Sequence, residues 1–304
     1  MSYDVIIIGS GPAGMTAGIY LGRYKRKVLI VEGPLPGGQL TTTDDVENWP
    51  GDIIVKGPAL MKQMKEQATK AECEFVSDEV VKVDFANKPY KVFTKNNQTF
   101  ESNLIIIATG ASPKKLGCPG EDEYWGKGVN VCATCDAPLY KNREVVVIGG
   151  GDVGVVETYA LSKHAKKVTV IQVAEELTAK DPLKDKILKI DNVDIIYNTE
   201  VKEIKGNGEK VTHIIIENNK TKETSEFKTD GVFLAIGHAP NSQIFDGQAK
   251  IDDKGYIVKN ENFMTSVDGV FVSGDVTDKK YRQAITASGE GCKASLECEK
   301  ILRK

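Results

Sequence analysis

The sequence predicts an α/β protein with two Rossmann-like three-layer domains, the second inserted into the first. A strand–glycine loop–helix–strand pattern opens the chain, and a second copy of it occurs near the middle. Two similar junctions, Ala108-Thr109-Gly110-Ala111 and Ala235-Ile236-Gly237-His238, each follow an apolar strand. We interpret them as crossings between domains, which assigns residues 1–112 and 243–304 to the first domain and 113–242 to the second.

In the first copy, an apolar strand at residues 4–9 leads into a loop with Gly9, Gly11 and Gly14. Such glycines permit a tight turn and the close passage of a pyrophosphate, whose charge is favoured by the helix N-terminus. Glu32 ends the following strand, 18 positions beyond Gly14, where its carboxylate can accept both hydroxyls of an adenosine ribose. This context favours a nucleotide site over a packing turn with an exposed glutamate.

The second copy repeats the plan over residues 143–171, with Gly149, Gly151 and Gly154 in the loop and a helix to about His164. Further elements are predicted from periodicity: a helix over 58–72, strands within 75–107, and a short helical piece with strands within 184–227.

Composition indicates an ordinary globular protein, since 40% of the 304 residues are hydrophobic and 27% are charged. A net charge of −3 gives no general attraction to nucleic acid or to an anionic membrane. The apolar run at residues 5–8 follows Asp4 without a basic leader and is interrupted by glycines, unlike a signal peptide. No stretch reaches the roughly 20 apolar residues that span a bilayer, so we expect a cytoplasmic protein.

Cys132-Ala133-Thr134-Cys135 contains the one closely spaced pair among six cysteines. Two intervening residues let both sulfurs meet at the start of a helix, where a thiolate, the form that attacks a disulfide, is favoured. Half of a zinc site is the alternative, but the chain has no second C-x-x-C and only three histidines, so no metal site is expected. The remaining thiols, Cys73, Cys118, Cys292 and Cys298, are interpreted as buried and inert.

Gly274 and Asp275 follow an apolar strand near the carboxyl terminus, and Arg282-Gln283-Ala284 then opens a helix. An aspartate at a strand end is often only a helix cap. Paired with the amino-terminal glycine loop, it looks instead like a site for the ribityl chain and pyrophosphate of FAD.

The chain resembles the low-molecular-weight thioredoxin reductases, essentially from end to end. The stretches that carry this resemblance are Gly9-Ser10-Gly11-Pro12-Ala13-Gly14, Gly37-Gly38-Gln39-Leu40, Val46-Glu47-Asn48-Trp49-Pro50-Gly51, Cys132-Ala133-Thr134-Cys135-Asp136, Gly274-Asp275-Val276 and Tyr281-Arg282-Gln283-Ala284. The resemblance implies a homodimer with one non-covalent FAD per subunit, a dithiol that faces the flavin, and thioredoxin as the substrate.

The same resemblance implies the roles of individual residues. Asp136 would be the acid or base that protonates or deprotonates a leaving thiol. Electrons would pass from the flavin to the disulfide of Cys132 and Cys135, and the dithiol would attack the partner's disulfide through a mixed disulfide. The residues expected to hold FAD are Gly9, Gly11, Pro12, Ala13, Gly14, Glu32, Gly38, Gln39, Leu40, Asn48, Gly110, Gly274, Asp275, Arg282, Gln283 and Ala284.

The chain departs from the family pattern after the second glycine loop. Typical members carry His-Arg-Arg-x-x-x-Arg there, and these arginines hold the 2′-phosphate of NADPH bidentately. The matching stretch, Gln172-Val173-Ala174-Glu175-Glu176-Leu177-Thr178, has no arginine and two glutamates. Gln172 also stands 18 positions past Gly154, where the first copy has Glu32. NADPH is therefore doubtful, because its binding should lose about 2–4 kcal/mol.

Two explanations of this departure remain open. NADH would be used, with Gln172 or Glu175 on the ribose, or a protein such as ferredoxin supplies the electrons. The losses resemble those of the ferredoxin-dependent flavin branch of the family, so ferredoxin is the favoured donor and the second loop is a relic that packs its helix. A basic docking surface near the flavin is then expected, with Lys279-Lys280 beside Arg282 as the candidate.

Other functions share parts of the pattern. A dithiol oxidase has the same fold and C-x-x-C but passes electrons to oxygen. A peroxiredoxin-system reductase usually carries an extra dithiol domain, which this sequence lacks. A flavin-bound redox sensor would not require Asp136 beside an intact C-x-x-C.

Overall fold

The computed structural model describes residues 2–43 and 45–303, with Ser2 described by its backbone alone. The chain divides into two compact units. The first unit comprises Met1–Ser112 and Ala239–Lys304, and the second unit comprises Pro113–His238.

The elements of the amino-terminal part are, in order, β1 (Ser2–Tyr3), β2 (Val5–Ile8), α1 (Pro12–Arg23), β3 (Val28–Val31), β4 (Asp45–Val46), β5 (Val55–Lys56), α2 (Gly57–Lys70), β6 (Glu74–Val76), β7 (Val80–Asp84), β8 (Tyr90–Thr94), β9 (Thr99–Ser102), β10 (Ile105–Ile107) and β11 (Ala111–Pro113). The middle part continues with β12 (Val129–Asn130), α3 (Ala133–Asp136), β13 (Glu144–Ile148), α4 (Asp152–Leu161), β14 (Lys167–Ile171), α5 (Leu183–Ile187), β15 (Val193–Ile196), β16 (Thr199–Gly206), β17 (Val211–Asn218), β18 (Thr224–Lys228), β19 (Gly231–Leu234) and β20 (His238–Pro240). The tail adds β21 (Val270–Val272) and α6 (Ala284–Leu302).

The first unit has three layers around a parallel sheet with the strand order β21-β10-β2-β3-β6. Strands β2 and β3 are apolar and buried at every position, as expected for strands covered on both faces. Helices α1, α2 and α6 pack on one face through a core that includes Ile7, Met15 and Phe271. On the other face, the sheet β1-β9-β8-β7 covers a second core that includes Ile6 and Val92.

The second unit repeats this layering around the parallel sheet β12-β19-β13-β14-β15. Successive residues of a strand point to opposite faces, so Val147 joins the core beneath α4 while Val146 joins the core beneath the antiparallel sheet β16-β17-β18. Phe233 and Ile214 are among the large side chains that fill these two cores.

The predicted fold class is confirmed, since both units are built on Rossmann-like parallel sheets. In each unit the third layer is a sheet of mostly antiparallel strands, a detail that strand alternation within 75–107 and 184–227 did not resolve. The helix after the second glycine loop ends at Leu161, short of the expected His164, because residues 162–164 form turns. Within residues 2–43 and 45–303, no helix combines the length and apolarity that crossing a membrane requires.

The chain changes unit within β11 and β20, which pair with each other. Asn241 ties the two chain segments together on the side of the first unit. Its Nδ2 donates to the Thr109 carbonyl at 2.9 Å, Thr109 Oγ1 donates to the Asn241 carbonyl at 2.6 Å, and Ser112 Oγ donates to Asn241 Oδ1 at 3.0 Å. These bonds hold the two ends of the insertion side by side.

Candidate active site: a nucleotide cradle and a vicinal disulfide

The first glycine loop forms an open cradle at the start of α1. A Cβ on Gly9, whose φ is +108°, would lie 2.3 Å from the Ala108 carbonyl oxygen, and one on Gly14 would lie 2.0 Å from the Gly9 carbonyl oxygen. The protein's own packing therefore requires these two glycines. At Gly11 no atom comes within 4 Å of the Cβ position, so the space in front of this residue is open to a ligand. Gly38 borders it, with its Cβ position 3.2 Å from Gly11 Cα.

Glu32 lies directly after β3 and is 2% exposed. Lys65 Nζ is 2.6 Å from its Oε1, and Ser77 Oγ donates to its Oε2. The buried carboxylate thus keeps a balancing charge and a hydrogen-bond donor. Neither Lys65 nor Ser77 was a candidate in the sequence analysis, because both reach Glu32 through tertiary packing of α2 and of the chain after β6.

The carboxyl-terminal side of the cradle contains buried polar atoms without partners. Among the described residues, Asp275 Oδ1 and Ser273 Oγ are buried and have no hydrogen-bond partner. Burial raises the pKa of Asp275 to about 7. Because unpaired buried polar groups are costly, these atoms fit a ligand that supplies hydroxyl groups, as the ribityl chain of FAD does.

Several further residues predicted to hold FAD lie around this cradle. A Cβ on Gly274, whose φ is +77°, would lie 2.9 Å from Ala13 Cβ, which places the loop after β21 against the start of α1. Ser288 Oγ of α6 donates to the Pro12 carbonyl at 3.4 Å. The Gly274 N–H donates to Glu290 Oε2 at 2.9 Å, a contact that the sequence analysis missed.

The remaining predicted residues lie on the flanking loops. Asn48 Nδ2 donates to Gln283 Oε1 at 3.3 Å, which joins the loop after β4 to the residue that caps α6 ahead of Ala284. Gly110 has a φ of +68° and no atom within 4 Å of its Cβ position. Gln39 and Leu40 lie in the 3₁₀ turn Gln39–Thr42, and Leu40 packs against the core of the first unit. Arg282 has a left-handed conformation with a φ of 48°.

Cys132 and Cys135 form a disulfide, with a Cα–Cα distance of 5.3 Å. Cys132 caps the short helix α3, and its carbonyl accepts the N–H groups of Cys135 at 3.2 Å and Asp136 at 3.1 Å. The two cysteines of the predicted dithiol are thus joined as a disulfide at the start of a helix.

Two carboxyl groups lie beside this disulfide. Burial raises the pKa of Asp136 to about 7, so the group exchanges its proton near neutral pH. Glu157, in α4, accepts the backbone N–H of Ala133 on its Oε2. Glu157 was absent from the sequence analysis, because its 24-residue separation from Ala133 along the chain gives no local signal.

Three of the other four thiols are poor nucleophiles for an electrostatic reason. Burial raises the pKa of Cys73 to about 12, that of Cys118 to about 11 and that of Cys298 to about 12, which suppresses the thiolate form. The expectation that all four are buried is wrong for Cys118 and Cys292, which are half-buried. Cys118 still packs against the core of the second unit, and the Cys292 thiol is hydrogen-bonded to Tyr20.

The second glycine loop keeps the backbone form of the first. Gly149 has a φ of +111°, and a Cβ on Gly154 would lie 1.9 Å from the Gly149 carbonyl oxygen. Gln172, at the position equivalent to Glu32, is 4% exposed. Its Oε1 accepts the Gly150 N–H at 3.1 Å and its Nε2 donates to the Glu176 carbonyl at 3.0 Å. Both the oxygen and the nitrogen of the Gln172 side-chain amide are therefore hydrogen-bonded within the protein.

The rest of the stretch after β14 offers little to an anionic nucleotide. Val173 is 60% exposed where a charged side chain would meet a phosphate. Glu175 is paired with Lys220 at 3.1 Å. At the start of α4, the Asp152 carboxylate accepts the backbone N–H groups of Lys180 at 2.6 Å and of Asp181 at 3.0 Å. A carboxylate thus already lies at this helix N-terminus, where a pyrophosphate would otherwise be favoured.

A glycine-loop cradle together with a redox disulfide is typical of enzymes that move electrons between a flavin and thiols. Residues 3–291 match the family described as pyridine nucleotide-disulphide oxidoreductase, and the chain belongs to that family. It is an enzyme, a flavoprotein disulfide oxidoreductase of the low-molecular-weight thioredoxin reductase type.

Relatives from distant organisms align along the whole chain. The thioredoxin reductase of Rickettsia conorii is 48% identical over 99% of this chain and 98% of its own, and that of Debaryomyces hansenii is 43% identical over 99% and 97%. Among solved structures, thioredoxin reductase from Giardia duodenalis is 39% identical, with a TM-score of 0.92 over 100% of this chain and 99% of that one. The Streptococcus pyogenes enzyme is also 39% identical, with a TM-score of 0.93 over 99% and 98%.

Proposed function

We propose that this protein is a flavin-dependent thioredoxin-disulfide reductase. The observation that carries the proposal is the Cys132–Cys135 disulfide with the proton-exchanging carboxyl of Asp136 next to it. The first unit would be the FAD-binding domain, with Gly11 at the pyrophosphate and Glu32 at the adenosine ribose. The second unit would be the pyridine-nucleotide-type domain, which here carries the dithiol.

The residues of the second unit supply the thiol chemistry. When bound, FAD supplies two electrons at a time. Reduction of the Cys132–Cys135 bond takes up two electrons and two protons, and Asp136 can deliver a proton to the sulfur that leaves. One thiolate then attacks the disulfide of thioredoxin, and the second thiol breaks the mixed disulfide to release the reduced partner.

The thioredoxin assignment is tested with chemically reduced protein, which removes the donor from the question. Dithionite-reduced enzyme should reduce thioredoxin, and the Cys132→Ser/Cys135→Ser double variant should not. Cys118→Ser is the matched control, since that thiol packs against the core and should be dispensable. Failure of reduced wild-type protein to reduce any thioredoxin would refute the assignment.

We further propose that reduced ferredoxin, rather than NADPH, is the electron donor. Support comes from the arginine-free stretch after β14, from the committed amide of Gln172, and from the Glu175–Lys220 ion pair. A 2′-phosphate would find neither a guanidinium fork nor a free amide there.

A docking surface for an acidic ferredoxin is proposed at Lys280 and Tyr281, beside the predicted FAD residue Arg282. Lys279 of the original candidate pair forms an ion pair with Asp252, which reduces its availability. Lys280 Nζ lies 5.0 Å from the centre of the Tyr281 ring, and Tyr281 is 58% exposed. Complementary charge at such a surface raises the rate at which the two proteins associate more than it raises the affinity of the complex.

The donor is tested by anaerobic titration of the yellow protein with NADPH, NADH and reduced ferredoxin, with flavin bleaching as the readout. Reduced ferredoxin should bleach the flavin, and NADPH should not. Rapid stoichiometric bleaching by NADPH would overturn the donor assignment, and bleaching by NADH alone would assign the NADH alternative. Oxygen consumption without thioredoxin reduction would indicate a dithiol oxidase.

A variant with restored arginines makes this test sharper. Val173→Arg/Ala174→Arg/Thr178→Arg should improve NADPH binding by roughly 2 kcal/mol, or about thirtyfold, because two of these positions are exposed and can accept the longer side chain. The same three positions changed to lysine are the control, since lysine supplies charge without the bidentate fork and should improve binding less.

We also propose a cytoplasmic homodimer, as the family resemblance implies. Tyr20 on α1, Tyr24 directly after α1 and Ile285 on α6 are exposed large side chains that a second copy would cover. Sedimentation of the FAD-loaded protein should give twice the mass of the chain, and a monomer at all concentrations would contradict the proposal.

A further inference from the structure

The side chain of Glu157 contacts the backbone of the loop that the Cys132–Cys135 disulfide closes. It lies in α4 and is half-buried, and its Oε2 accepts the N–H of Ala133, the residue that follows Cys132. The Glu157 carboxylate therefore lies at the backbone of the loop between the two cysteines.

Two other acidic groups, Asp136 and Tyr140, lie near this disulfide, and burial raises the pKa of both. Burial raises the pKa of Asp136 to about 7, so this carboxyl is ionised only in part. Burial also raises the pKa of Tyr140, in the turn that follows α3, while Arg143 acts in the opposite direction on that phenol. Glu157 thus adds a further carboxylate at the backbone of the disulfide loop.

We propose that Glu157 is a positioning residue that lowers the reduction potential of the Cys132–Cys135 couple and so makes the dithiol a stronger reductant. The inference rests on the proposed function, because it concerns the same disulfide exchange.

The physical reason is a difference in charge between the two redox states. The disulfide is neutral, whereas the reduced pair forms a thiolate, and an adjacent carboxylate disfavours a second negative charge. In disulfide oxidoreductases, stabilising the reduced form makes the disulfide a better oxidant. An adjacent carboxylate that destabilises the reduced form has the opposite effect and makes the dithiol a better reductant.

The electron balance is that of the two-electron couple. Two electrons from the flavin break the S–S bond, and the products are two thiols, or one thiol and one thiolate with one proton fewer. Replacing Glu157 by glutamine removes the charge but keeps a carbonyl oxygen that accepts the Ala133 N–H. The equilibrium should then shift toward the dithiol.

The test is a redox titration of the FAD-loaded protein in mixtures of reduced and oxidised dithiothreitol. Thiols are trapped by alkylation and counted by mass spectrometry. We expect Glu157→Gln to shift the equilibrium toward dithiol by about tenfold, equivalent to about 30 mV for two electrons. Glu157→Asp, which keeps the charge, should stay within a few-fold of wild type. Glu144→Gln is the matched control, because that exposed carboxylate is paired with Lys166.

A second readout separates charge from packing. Alkylation of the reduced enzyme as a function of pH should show a lower pKa for the reactive thiol in Glu157→Gln than in wild type and Glu157→Asp. Unchanged equilibrium and thiol pKa in Glu157→Gln, or equal shifts in Glu157→Gln and Glu157→Asp, would overturn the inference. The titration uses no thioredoxin, so a failure of thioredoxin reduction would refute the proposed substrate and leave this result standing.

Discussion

At the residue scale, the carboxyl group of Asp136 differs from a surface carboxyl because burial raises its pKa to about 7. Such a group is a proton donor below that pH and a proton acceptor above it. It directly follows Cys135 in α3.

Replacement of Asp136 by asparagine tests this role. Transfer of electrons from reduced flavin to the disulfide consumes protons, so in wild type its rate should fall as pH rises through about 7, where Asp136 loses its proton. Asp136→Asn has no proton to give and should be slower by about 10²-fold, without that inflection. Stopped-flow measurement of flavin reoxidation checks both expectations. A variant that retained the wild-type pH profile would exclude Asp136 as the donor.

At the element scale, helix α6 completes the first unit by packing closely on α1. A Cβ on Gly291 would lie 2.1 Å from the Ala13 carbonyl oxygen, whereas no atom lies within 4 Å of the Cβ position of Gly289 on the same helix. One glycine therefore sets the distance between the helices, and the other is exposed to solvent.

This pair of glycines gives a matched experiment. Gly291→Ala should destabilise the protein by about 1–3 kcal/mol, because overpacking must push α6 away from α1. Gly289→Ala should be neutral or stabilising by up to about 1 kcal/mol, as alanine favours helix. Thermal unfolding of both variants, together with their FAD content, measures the effect. Equal stabilities would mean that α6 is not seated on α1 through Gly291.

The parts of the molecule that sequence could predict are those with local signals. Gly9, Gly11 and Gly14 lie at the junction of a strand and a helix, and two residues separate Cys132 from Cys135, so spacing alone identified the glycine loop and the cysteine pair. Lys65 at Glu32 and Glu157 at Ala133 are tertiary contacts between elements far apart in the chain, and no periodicity reports them. Three layers per unit were predicted, but the pairing of the third layer as a mostly antiparallel sheet was not, since alternation marks strands but not their partners.

At the scale of the whole molecule, the second unit is one continuous stretch whose ends are held together by Asn241. The first unit, in contrast, is discontinuous and needs its tail, because β21 pairs with β10 and Phe271 is fully buried in its core. The insertion can therefore be removed without breaking the first unit's own sheet.

A shortened chain tests this architecture. Joining residue 112 to residue 239 through a short glycine linker should leave a folded protein that retains FAD and has lost thioredoxin reduction. Deleting 243–304 instead should abolish FAD binding, since Asp275 and α6 are removed. Flavin absorbance after gel filtration distinguishes the two shortened proteins. Loss of FAD from both would show that the units depend on each other for folding.

The raised pKa values of Cys73, Cys118 and Cys298 have a practical consequence for chemical biology. A mild electrophile added to the reduced enzyme near neutral pH meets few competing sulfurs, and Cys292→Ser would remove the half-buried one that remains. The resulting protein would take up a covalent inhibitor or a fluorescent label at the vicinal pair. With one cysteine of that pair also replaced by serine, it would serve as bait for its physiological clients, because no second thiol remains to break the mixed disulfide.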